Sequence, residues 1–113
     1  MAIDDVIHER RSEKRKKVKM MFLVKIGKLY NEGGIAKDIN RHGVCLICPQ
    51  LFQPRTTIQP KDYIGKTLKI MFPSNGITIN GVIAWVDLRK GEGAIKISRT
   101  TDDSRWQELC EKA

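Results

Sequence analysis

The sequence predicts an all-β domain, a small six- to seven-stranded antiparallel barrel with a short C-terminal α-helix. Three observations predict it. Short segments rich in apolar and β-forming residues recur between Val18 and Ser98, glycine- and proline-containing turn signals separate them, and no long helical repeat interrupts the series. With 113 residues the chain is one domain of ordinary size. It is long enough to bury roughly two thirds of its unfolded surface around a single core, so the fold requires neither a metal nor a disulfide as a staple.

The first strand is expected over residues 18–26, ending at Gly27. Residues 28–34 read as a connection or a bulged continuation whose glycines permit a sharp bend. Strand-like pieces follow at 35–40 and 44–48, separated by the turn-sized Arg41-His42-Gly43. Residues 49–63 carry Pro49, Pro54 and Pro60 and read as a long surface loop. Residues 67–72 alternate, putting Leu68, Ile70 and Phe72 on one face. Pro73-Ser74-Asn75-Gly76 is a turn signal, and residues 77–86 return as a long strand with a bulge expected at Gly81. A hairpin at 88–92 leads into a closing strand, 93–98, with Ile95 and Ile97 facing the core. The period then changes. Residues 101–104 offer N-cap candidates, and Trp106, Leu109 and Cys110 fall at i, i+3 and i+4, the stripe of a short amphipathic helix packed against the barrel.

The net charge of +8 is unevenly spread. Between His8 and Lys19 seven basic residues face two acids, so most of the excess sits on one arm. Residues 1–17 are therefore expected to be a flexible basic arm and residues 18–113 the barrel with its helix. Such a block stays solvated until an anion neutralises it, and its field speeds encounter with anionic ligands.

Two motifs give that charge a direction: Arg11-x-x-x-Arg15 on the arm and Asp38-x-Asn40-x-x-Gly43 at the end of a strand. Guanidinium forks match phosphate oxygens and the Hoogsteen edge of guanine, and a carboxylate accepts from the two donors of guanine's Watson-Crick edge. Glycine lets a ligand approach the backbone. The set describes a site for a guanine nucleotide bearing phosphates.

These motifs, followed in order by Gly81-Val82-Ile83-Ala84-Trp85-Val86 and Gly93-Ala94-Ile95-Lys96-Ile97, resemble the PilZ domain, a bacterial receptor module for cyclic di-GMP. The resemblance runs from about Glu9 to about Ser98 and implies a split-barrel fold. It implies that Arg11 and Arg15 grip phosphate and guanine, that Arg10 adds a stacking guanidinium, and that Asp38 reads the other guanine edge. Gly43 would hold a φ that residues with a β-carbon resist. Asn40 stands where the family usually has serine; its amide keeps both donor and acceptor but needs more room. The implied role is a receptor whose arm reorders over cyclic di-GMP and which then regulates a downstream protein in motility, adhesion or secretion. Two alternatives are a PilZ-like scaffold that has lost the nucleotide and a basic barrel that binds single-stranded nucleic acid. The scarcity of aromatic residues for stacking weighs against the second.

Other chemistry finds little support. Cys45, Cys48 and Cys110 are an odd number in a chain with no export signal, and the Cys45-x-x-Cys48 pair lacks a second pair to complete a zinc set, so all three are expected to be plain thiols. His8 and His42 are isolated, and His42 is expected to face solvent from its turn. Trp85 and Trp106 are expected to pack in the core or at an edge. No nucleophile elbow, phosphate-binding loop or zinc-protease motif is present, so no catalytic residue, metal or cofactor is expected. With no apolar run of about 18 residues the chain is expected to be cytoplasmic and not inserted in a membrane.

Overall fold

Six strands close into one antiparallel barrel in the order β1-β2-β3-β6-β5-β4. The computed structural model describes residues 15–26, 28–53 and 59–111. The strands are β1 (Lys16–Ile26), β2 (Leu29–Ile39), β3 (Gly43–Ile47), β4 (Thr67–Phe72), β5 (Ile77–Asp87) and β6 (Glu92–Thr100). A single helical turn, α1 (Pro60–Tyr63), precedes β4, and α2 (Asp103–Glu111) follows β6.

Alternation builds the core. Phe22 and Val24 of β1, Ile70 and Phe72 of β4, and Ile77, Ile79 and Ile83 of β5 point inward and are buried, as the period-2 geometry of a strand requires. Phe22 meets Phe72 edge to face at 6.4 Å, and Phe72 stacks on Trp106 at 5.9 Å. These rings tie α2 to the barrel. The helix starts as its sequence predicts: the Asp102 carboxylate accepts from the Arg105 amide at 3.0 Å, satisfying a donor that the first turn leaves free. At its other end the Lys16 ammonium donates to the Leu109 carbonyl at 2.7 Å, a cation on the negative end of the helix.

Two expectations are corrected and two are made definite. β1 begins at Lys16, two residues earlier than the apolar run, so the end of the basic arm is already strand. Of the two readings of residues 29–34, the bulged continuation holds and the connection does not: Asn31 is an extra residue between the pairs Val24–Glu32 and Lys25–Tyr30, and β2 pairs with β1 from Leu29 onward. Its glycines serve close approach, since a β-carbon on Gly34 would collide with the Ile47 carbonyl and come within 2.9 Å of the Phe22 ring. The proline-rich segment after β3 is not all surface. Phe52 is fully buried and packs edge to face on Tyr63 at 5.8 Å. Ile97 is partly buried and packs against the core as expected, and the irregularity at Gly81 is a register shift whose extra residue is Ser98 on the facing strand.

Candidate functional site

The site lies on the outside of the barrel, and two β-bulges build its walls. In the pairing of β2 with β3, Ala36 faces Leu46 and Asp38 faces Cys45, so Lys37 is an extra residue on β2. That insertion turns Asp38 away from the core side, where alternation with the buried Ala36 would otherwise put it. In the pairing of β5 with β6, Ile83 faces Ile95 and Trp85 faces Ala94, so Ala84 is the extra residue. Trp85, expected in the core or at an edge, is thereby turned outward and is 38% exposed.

Register then aligns the two walls. Asp38 faces Cys45, Cys45 faces Ala94, and Ala94 faces Trp85, a row that crosses β2, β3, β6 and β5. Strands spaced about 4.8 Å apart put roughly 14 Å between its ends. Small side chains, Cys45 and Ala94, form the floor, while the carboxylate and the indole rise at either side. The resulting cavity of about 190 Å³ is also lined by Arg15, Asn40, His42 and Lys96. It is smaller than the 300 Å³ or more that usually encloses a whole small ligand, so it suits one flat group with the remainder of the ligand lying across the opening.

Electrostatics divide the site. Asp38 is the one buried charged residue among those described, at 7% exposure, and its Oδ1 lies 3.7 Å from Nη1 of the largely exposed Arg15. Beside it, Lys37 is hydrogen-bonded to Glu92 at 3.0 Å, which is the first cause holding its ammonium above the usual lysine range. Burial, and after it the charge of Asp38, raises the Cys45 thiol above its usual range. The floor is therefore neutral.

Asn40 braces the turn at the edge of the cavity. Its Oδ1 accepts from the backbone amides of both His42 and Gly43 at 2.8 Å, and the Asn40 amide donates to the Gly43 carbonyl at 3.0 Å. This is an Asx-type turn, a bond that a serine hydroxyl makes more weakly. Gly43 does not adopt a positive φ. The expectation of a left-handed backbone there is corrected: glycine is needed because a β-carbon would sit 3.0 Å from the Ile95 carbonyl. The Ile97 amide donates to the His42 carbonyl at 2.8 Å, fixing the turn to β6.

Of the residues singled out from sequence, Arg15, Asp38, Asn40 and Gly43 line one cavity. Arg10 and Arg11 lie outside the described residues. His42 faces solvent and also lines the cavity. Sequence reading missed Trp85 and Lys96. Cys45 and Cys48 are buried, and neither is in a disulfide; the Cys48 thiol donates to the Gly33 carbonyl at 3.4 Å. Among the described residues no group of three or more His, Cys, Asp or Glu could hold a metal, and no helix is long and apolar enough to cross a membrane.

No protein-family model matches the chain, and no curated protein matches it. Its structure is similar to that of the Bacillus subtilis inhibitor of motility, MotI/DgrA, with a TM-score of 0.58 and 12% sequence identity. The likeness covers 85% of this chain but 47% of that protein, so the chain spans about half its length. At that identity it is the fold that is shared: a closed six-stranded antiparallel barrel with a short C-terminal helix.

Proposed function

We propose that this barrel is a receptor for a phosphate-bearing guanine nucleotide, cyclic di-GMP in the first place, and acts by binding and not by catalysis. The observation that carries the reading is the convergence of Arg15, Asp38 and Trp85 on one cavity sized for a single base. Asp38 supplies the acceptor for guanine's paired donors, Trp85 a flat face for stacking, and Arg15 a fork for phosphate or for the Hoogsteen edge. Arg10 and Arg11 stand just before Arg15 in the chain and would add their guanidinium groups to the ligand's phosphates or bases. The resemblance of the motifs to the PilZ domain and the fold shared with an inhibitor of motility support the same reading.

In this mechanism the dianionic ligand neutralises the arm and orders it over the cavity. Ordering changes the surface offered to a downstream protein, and the ligand shifts the equilibrium by as much as it prefers the ordered state. Calorimetric titration of the full chain with cyclic di-GMP, GMP and GTP tests the proposal. Saturable binding that prefers the cyclic dinucleotide is expected. No binding, or equal affinity for all three, overturns it.

A further inference from the structure

An apolar stripe crosses the outside of the barrel next to the cavity. Met21 and Leu23 of β1, Ile35 of β2, Ile47 of β3 and Met71 of β4 alternate with the buried Phe22, Val24, Ala36, Leu46, Ile70 and Phe72, so all five face outward. None belongs to the core cluster or packs against it, and Met21 is 53% exposed. Register makes them contiguous: Ile47 faces Ile35, Ile35 faces Met21, and two residues along, Leu23 faces Met71. Single apolar residues on a surface are ordinary; here exposed Met21 and half-buried Leu23, Ile35, Ile47 and Met71 are aligned across four strands, the pattern of a docking stripe.

Lysines flank the stripe. Exposed Lys19 precedes Met21, and Lys25 follows Leu23 and shares an open hollow of about 290 Å³ with Lys69. Glu92, which faces Ile47 on β6, is already engaged by Lys37 at 3.0 Å. A second copy of this chain laid on the stripe would set lysine against lysine. A helix fits the spacing, because the apolar rows repeat at the strand separation of about 4.8 Å and the turns of an α-helix at about 5.4 Å. We infer that this stripe docks an acidic amphipathic helix of a partner protein, apolar face on Met21, Leu23, Ile35 and Met71, carboxylates on Lys19, Lys25 and Lys69. This surface does not depend on the nucleotide reading.

The test is a heteronuclear NMR titration of the full, isotope-labelled chain with a synthetic three-turn helix that carries leucines along one face and glutamates on both flanks. A control peptide has lysines in place of the glutamates. Amide shifts confined to 19–25, 33–37, 47 and 69–71 are expected, with Met21→Glu and the double change Lys25→Glu, Lys69→Glu each weakening binding about tenfold or more. The two variants lie on the surface and fail by different routes, so a fold defect in one leaves the other informative. Absence of shifts, equal binding of the control peptide, shifts centred on the cavity, or sedimentation showing that the stripe is covered by a second copy would each overturn the inference.

Discussion

Arg15 Nη1 comes within 3.7 Å of the buried Asp38 carboxylate while 59% of the arginine side chain stays in solvent. Because its cation is exposed, the pair adds at most about 1 kcal/mol to stability. Losing the same guanidinium from a bound nucleotide leaves a charge unpaired and costs about 2 to 5 kcal/mol. Arg15→Ala is therefore expected to leave the urea midpoint nearly unchanged while weakening cyclic di-GMP roughly 30-fold or more. Equal losses in both measurements would make Arg15 a structural residue.

Asn40→Ala removes the acceptor for two backbone amides. Both amides lie in a turn that water reaches in part, so a cost of about 1 kcal/mol is expected in chemical denaturation. Asn40→Asp keeps the acceptor and should unfold like the parent. A serine there is expected to fall between the two.

Trp85→Ala removes the largest aromatic face that lines the cavity among the described residues. Stacking of a base on an aromatic ring contributes about 1 to 3 kcal/mol, so a loss of roughly 5- to 150-fold in affinity is expected, with Trp85→Phe retaining most of it. Trp106 is buried in the core, so ligand-dependent quenching of tryptophan fluorescence should persist in Trp106→Phe and vanish in Trp85→Ala.

Trp106 stacks on Phe72, and its indole Nε1 is buried with no hydrogen-bond partner among the described residues. Trp106→Ala opens a cavity and is expected to cost about 3 to 5 kcal/mol. Trp106→Phe removes an unpaired donor along with part of the ring and should cost less than about 1.5 kcal/mol. Thermal melts of the two variants give the comparison directly.

Burial raises the Cys110 thiol from 9.0 to about 11. A thiol raised on folding stays protonated in the native state while the unfolded chain ionises, so its contribution is full below pH 9.0 and is lost as pH climbs to about 11. Stability of the parent should fall across that window more steeply than stability of Cys110→Ala. Parallel pH profiles for the two proteins would show that this thiol is not the group responsible.

Much of the fold was legible because alternation and turn chemistry act locally. Residues 67–72, the turn at 73–76, the long strand from Ile77 and the stripe of Trp106, Leu109 and Cys110 all follow from side chains close in sequence. What escaped depends on distant partners. Residues 29–34 lack a continuous apolar pattern, so sequence left a connection and a bulged continuation both open; they are strand because β1 lies alongside, with Gly34 admitting Ile47 and Phe22. Phe52 sits among prolines, and nothing adjacent in sequence marks it as core. The site residues Arg15, Asp38, Asn40 and Gly43 were recognisable from spacing and chemistry, but Trp85 was not. Strict period 2 puts Trp85 on the same side as the buried Ile83, and the extra residue Ala84 reverses it. A one-residue bulge has no sidechain signature where no glycine marks it.

The barrel closes where β1 meets β4, and that ladder holds two residue pairs, Leu23 with Met71 and Val24 with Ile70, against six between β4 and β5. Short ladders part first. The clasp of this molecule is thus its most easily sprung line, and it runs directly beneath Leu23 and Met71. Anything seated across those two side chains would act as a rivet, slowing amide exchange along both strands and holding shut the wall behind which Phe22 and Phe72 are packed.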